Sequence, residues 1–329
     1  MSIRHFVRLA AHTQLMPVLE SGEETLVGGQ AVMEGVMMRA PHSYSIAVRR
    51  ANGQIATEEG RLARISEKYP IFRYPILRGV GTLGQAMWLG VKALRFSTDV
   101  ALEDENKATG DTKKPTEVPG WMMTMNLLFS FLFFIVLYKL VPLGLTTLLG
   151  KFYPAVNNQV LFNLVDGVIR IAIFLGFLYG LSRFKDIHRV FEYHGAEHKV
   201  VYNFESGRPV NVLNAQSFTT LHPRCGTSFL LVVMLISMAV YTVLPFESFG
   251  AKMASRIVLI PVIAGLSYEL IRYAARKRGS LLAALTNPGL WLQKITTQPP
   301  TDDQTEIAIY ALEGAMALEE KQGGRLVIA

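Results

Sequence analysis

Cysteine is nearly absent: Cys225 is the single one in 329 residues. One thiol forms no internal disulfide, and a zinc site made of cysteines alone needs several. Charge is scarce as well. Lys, Arg, Asp and Glu make up 18% of the chain, where a soluble domain carries about a quarter. The opening stretch, MSIRHFVRLAAHTQL, lacks the unbroken apolar run of a signal peptide, because Arg4, His5, Arg8 and His12 interrupt it. Membrane insertion is therefore expected to be directed by internal segments. No internal repeat is visible. The net charge of +7 raises nucleic acid as a partner, but in an apolar chain it reads as a basic cytoplasmic face. No nucleic acid is expected.

What the chain has is apolar length. Half of its residues are apolar, and a spanning helix needs about 20 in a row. Four segments qualify: one beginning near Trp121, one over 159–182, one over Gly226–Phe246, and one over about 254–273 with Glu269 near its end. The second carries Asp166 and Arg170, four apart and so on one helix face, as a structural pair. The loop between spans two and three holds Arg183, Lys185, Arg189, Lys199, Arg208 and Arg224, and Arg272, Arg276, Lys277 and Arg278 open the C-terminal stretch. The other two connections are poorer in cations. This asymmetry places both termini and the middle loop in the cytoplasm, in a multi-pass membrane protein.

The fold class expected is a mainly α-helical polytopic membrane protein with about four transmembrane helices and a small cytoplasmic N-terminal β-containing unit. Residues 1–24 read as an N-terminal extension and 25–70 as the β unit, with a tight hairpin at Asn52-Gly53. The run GVGTLGQAMWLGV (79–91) is only 13 residues long with four glycines, so 71–102 reads as an amphipathic or re-entrant helix on the membrane. Residues 103–120 form a polar linker. The membrane domain covers 121–273 with its cytoplasmic loop 184–225, and 274–329 form a cytoplasmic tail. In that tail NPGLW (287–291) reads as a turn and TEIAIYALEGAMALEEK (305–321) as an amphipathic helix.

The chemistry concentrates in FEYHGAEHKVVY (191–202). His194 and His198 are four apart, which puts both imidazoles on one helix face, and Glu197 lies beside the second. This His-x-x-Glu-His order is the inverted zinc-protease pattern. In that logic the histidines bind a divalent metal, zinc first, with iron or manganese not excluded. The glutamate takes a proton from water. A catalytic zinc needs a third protein ligand. Glu269 is the first candidate, 71 residues beyond His198 and near the inner boundary. His222, in LHPRCGTSF, is the second, with Cys225 three residues on. The plainer readings stand beside these: interfacial histidines, a Glu269–Arg272 pair across one helical turn, and a small packing cysteine.

GGQAVMEGVMMRAPHSYSIAVR, PILRG (75–79), FEYHGAEHKVVYNFE and LHPRCGTSF resemble the YqhQ-like family of bacterial membrane proteins, described as uncharacterised, predicted metal-dependent enzymes. The resemblance covers roughly 25–295. It implies a metal site at His194, Glu197, His198, His222 and Cys225, and its first block adds Glu34 and Arg39 as further candidate site residues.

Two functions follow as expectations. One is a metal-dependent membrane hydrolase acting on a membrane peptide or lipid at the cytoplasmic face, with Glu197 as base. The other is a non-catalytic scaffold. In that reading the basic face recruits a cytoplasmic protein or anionic lipid, and His194, His198, His222 and Cys225 close around a structural metal. A transporter ranks last, since no matching pair of broken helices is visible.

Overall fold

The computed structural model describes residues 27–63, 65–109, 120–222, 225–244, 246–276 and 287–321. The N-terminal extension, most of the polar linker, and Arg224, Lys277 and Arg278 lie outside the described residues.

Four strands, β1 (Gly28–Val32), β2 (Gly35–Arg39), β3 (Ser43–Arg49) and β4 (Ile55–Arg61), form an antiparallel meander in chain order. The β3–β4 connection turns at Asn52-Gly53 as the sequence suggests. Gly53 takes φ +84°, the left-handed region glycine enters freely, and the Asn52 side chain accepts a hydrogen bond from the Gln54 amide at 3.0 Å.

Alternation along the strands sends their side chains to two different helix layers. Val32, Met37, Tyr44, Ile46 and Val48 pack against Leu89, Ala93 and Val100 of α1 (Leu77–Thr109). Val36, Met38 and Ala47 pack against α5 (Lys185–Glu205) and α10 (Asp302–Lys321). The apolar run 79–91 is thus part of a 33-residue helix that lays one face on the sheet. That helix also takes up the first residues of the stretch read as a linker. The small residues Ser43 and Ser45 in β3 let α10 come close. Ser43 Oγ donates to Ala315 O at 2.8 Å, and a Cβ on Gly314 would meet Ser45 Oγ at 2.5 Å.

Below this layered unit lie the apolar helices. α2 (Gly120–Ile135) runs through a π-helical turn, Val136–Leu140, into α3 (Val141–Phe152). Pro142 follows that turn, and its missing N–H and bulky ring remove ordinary α-helical bonding there. α4 (Gln159–Ser182) is capped by Asn158, whose side chain accepts from the amides of Val160 and Leu161. α6 covers Gly226–Val243. Three helices, Thr124–Phe152, Gln159–Ser182 and Gly226–Val243, are long and apolar enough to cross a membrane. The fourth expected span is not one straight helix. α7 (Phe249–Val258) and α8 (Ile260–Arg276) meet at 53°, with Pro261 in the first turn of α8 to force the break. Among the described residues there are therefore three such helices, or four if the bent pair is one span.

NPGLW is not a turn. It opens α9 (Asn287–Thr296), with Pro288 in the first turn, where its missing N–H leaves no helical bond unmade.

Candidate metal centre

The motif helix α5 carries His194, Glu197 and His198 on the face turned toward β1. His194 Nδ1 lies 2.8 Å from the carbonyl oxygen of Thr296, and His198 Nδ1 bonds the carbonyl oxygen of Thr220. A carbonyl only accepts, so each Nδ1 carries the proton and each Nε2 presents its lone pair. This second bond is what fixes a metal-ligating imidazole in tautomer and orientation.

Cys225 sits at the N-cap of α6, and its Sγ lies 3.2 Å from His194 Nε2. The ligand atoms of His194, His198 and Cys225 all lie within 4.8 Å of one another. Two such ligands on a tetrahedral zinc stand about 3.5 Å apart, so the donor set fits a metal with little adjustment. All three residues line a cavity of about 150 Å³ at the free edge of β1, closed by Gly28, Gly29 and Arg39 of the sheet and by Leu89 of α1.

Glu197 is 6% exposed and lines the same cavity. Burial pushes its carboxyl up to about 7, against the opposing pull of His194 and of the Gly29 backbone. A carboxyl near neutrality both takes and returns a proton, which suits a general base. Gly29 allows this close seat, since a Cβ there would meet Glu197 Cγ at 2.6 Å.

The remaining sequence candidates fall in different places. His222 lines the cavity, with its ring centroid 5.5 Å from that of His198. Its Nε2 is 3.5 Å from Glu205 Oε2, and it is not one of the three clustered ligands. Glu269, the first choice for third ligand, is drawn elsewhere. It forms an ion pair with Arg78 of α1 and accepts the Ile76 amide at 3.3 Å. Arg78 thus reaches it from across the fold, and the charge of Arg272 one turn away acts on it as well. Glu34 and Arg39 separate too. Glu34, at φ +53° in the β1–β2 turn, binds Arg189 and Tyr193 of α5. Arg39 lies at the other end of β2 and lines the cavity, where burial holds its guanidinium below the usual range against the opposing field of Tyr268.

Sequence reasoning missed Gln293 of α9. It is fully buried, accepts the His222 amide at 2.7 Å, and donates to the His222 carbonyl at 2.7 Å and to Ser228 Oγ at 3.0 Å. A glutamine clamping both backbone groups of one residue fixes the loop that delivers Cys225. Gln293→Leu strips the buried His222 amide of this partner, at about 1–3 kcal/mol, and leaves the carbonyl with the 3.3 Å bond from the Cys225 amide. We expect it to lower metal affinity at least tenfold, read by competition with a chromogenic chelator, while its helical circular dichroism is kept.

A family model described as protein of unknown function (DUF1385) matches residues 74–318. The uncharacterized protein YqhQ of Bacillus subtilis (strain 168) is 34% identical over 297 residues, covering 89% of this chain and 92% of its own length. No solved structure matches the chain.

Proposed function

The chain belongs to the DUF1385 family, as its YqhQ-like motifs imply, and we propose that it is a metal-dependent hydrolase working at a membrane surface. The observation that carries this reading is the convergence of His194 Nε2, His198 Nε2 and Cys225 Sγ beside a buried carboxyl, in a cavity with room for a substrate group. Three protein ligands leave a fourth position open, the arrangement of catalytic rather than structural zinc. A closed four-ligand site would need His222 Nε2 to turn away from Glu205.

A divalent metal held by these three side chains, zinc by its donor set, would supply Lewis-acid polarisation of water or a carbonyl. The chain's own groups do the rest. Glu197 takes a proton from the attacking water and returns it to the leaving group. Arg39, a cation in the cavity wall, faces negative charge that develops or arrives there. Thr296 and Thr220 hold the imidazoles in register.

The membrane setting rests on the apolar helices. Phe129, Phe131, Leu132, Phe133 and Phe134 are exposed on α2, an apolar surface that water does not tolerate at this extent. Cys225 caps one such helix at its first residue, so the cavity falls at the boundary between bilayer and water. The loop's cations support a reading with that boundary on the cytoplasmic side of the inner membrane and both termini on the same side. A membrane peptide or a lipid headgroup is then the substrate within reach.

Elemental mass spectrometry on protein purified in detergent tests the reading. Wild type should carry about one metal per chain and a His194→Ala/His198→Ala variant close to none. Wild-type protein free of metal after reconstitution with zinc, iron or manganese would sink it.

A further inference from the structure

A second cavity, of about 380 Å³, opens at the other end of α6, roughly 26 Å from the first by helix rise. It is lined by Asn163, Tyr241, Lys252, Ser255 and Arg256, with Glu247 exposed at its rim. Behind it the bundle buries charge out of balance. Arg170 and Arg256 are each 2% exposed, and both pair with the same oxygen of Asp166, Oδ2. A guanidinium does not shed its proton, so two cations share one anion and at least one positive charge is left over among these described residues. Buried Lys139, 3.4 Å from Tyr241 Oη, adds to the excess when protonated.

Tyr241 collects this charge on its ring, with Arg256, Arg170 and Lys139 within 5.1, 5.5 and 5.7 Å of its centroid. Arg256 Nε is buried without a hydrogen-bond partner among the described residues. Lys252, beside it in the cavity wall, lies 3.8 Å from the Phe162 ring centroid and makes no ion pair among the described residues. A buried cation without enough counter-charge is costly, and a polar cavity reaching it is where a counter-ion would sit.

We propose that this cavity binds a phosphate oxyanion carried on an organic group, held by Arg256 and Lys252. Guanidinium and ammonium groups are the usual phosphate ligands. The volume falls in the range of about 300–1,000 Å³ typical of small-molecule pockets, more than a bare ion needs. The cavity lies at the ends of the apolar helices, where lipid headgroups would lie, and a soluble phosphate would also reach it. The site is independent of the metal centre.

The test uses delipidated full-length protein in neutral detergent and follows thermal unfolding. Inorganic phosphate is titrated against chloride at equal ionic strength. Short-chain phosphatidylglycerol, below its own micelle concentration, is titrated separately. Wild type should gain several degrees with a saturating curve, and Lys252→Gln, a half-buried rim change that leaves the Asp166 pairs intact, should shift the midpoint at least tenfold. Arg256→Gln should abolish the shift where it folds. A response to lipid alone assigns a headgroup, and an equal response to inorganic phosphate assigns a soluble ligand. The His194→Ala/His198→Ala variant should respond as wild type does. No response in wild type, or an unchanged midpoint in Lys252→Gln, overturns the proposal.

Discussion

Gly195→Ala should unfold the candidate metal centre. A Cβ at this position falls on the carbonyl oxygen of Gln298, far inside van der Waals contact, with Thr220 Cγ2 at 3.2 Å on another side. The obstacle is backbone, and it is pinned: the Gln298 amide donates to Phe191 O at 2.9 Å, one turn back on the same helix. The segment must retreat, and Thr296 moves with it, away from His194 Nδ1. Overpacking of this kind costs about 3 kcal/mol, and freeing a ligating imidazole typically weakens metal binding 10–100-fold. A mid-helix glycine itself costs about 1 kcal/mol against alanine, so its presence between His194 and Ala196 reflects the crossing chain. Gly84→Ala, on α1 and outside the cavity lining, where a Cβ meets nothing within 4 Å, is the control and should retain metal as wild type does and unfold no earlier. Thermal unfolding and metal retention after chelator dialysis read both effects. Wild-type values in Gly195→Ala would show that Gln298 does not cross there.

Glu197→Gln should flatten the pH dependence of stability in metal-free protein. Unfolded, the carboxyl titrates near 4.5; folded, burial raises it to about 7. Below 4.5 it is protonated in both states and stability is untouched. Between 4.5 and 7 the unfolded chain releases the proton and the folded chain keeps it, so stability falls as pH rises. Above 7 the whole difference, about 3 kcal/mol, is lost. The glutamine variant has no such proton and can still accept the Gly29 amide through its carbonyl. Its unfolding temperature, equal to wild type near pH 4.5, should exceed it by several degrees at pH 8. Metal is removed first, since a neighbouring cation would hold the carboxylate charged. Parallel pH curves for the two proteins would mean that Glu197 titrates alike in the folded and unfolded states, and that burial does not raise it.

Much of the architecture is legible in the sequence, for identifiable reasons. Three apolar helices can be placed because uncharged runs of hydrocarbon length are rare in chains that fold in water, and Asn52-Gly53 marks its hairpin. The His-x-x-Glu-His spacing puts three side chains on one face before any contact is known. The bend between α7 and α8 is written in Pro261, yet mean hydropathy over 254–273 hides a breaker. Glu269 shows the opposite limit. Its depth in the chain suggests a ligand, but its partner Arg78 lies 191 residues away, and no periodicity encodes such a pairing. The supports of the candidate metal centre are the least visible. Thr220 and Thr296 act through backbone carbonyls, which any residue supplies, and Gln293 matters only because α9 folds back against the base of α6.

The covering of the sheet by α10 fixes when the protein can be completed. Ser43 and its acceptor on Ala315 are 272 residues apart. At roughly 5–20 residues per second, a ribosome needs on the order of 10–50 s to travel from the end of β4 to the start of α10. For that interval Val36, Met38 and Ala47 lack a partner that closes their face. The sheet, early in the sequence, is thus among the last parts to be finished, after the apolar helices have been made. The candidate cavity is lined by residues between Val27 and Gly226 alone, so its walls are all made before α10 arrives to cover the sheet.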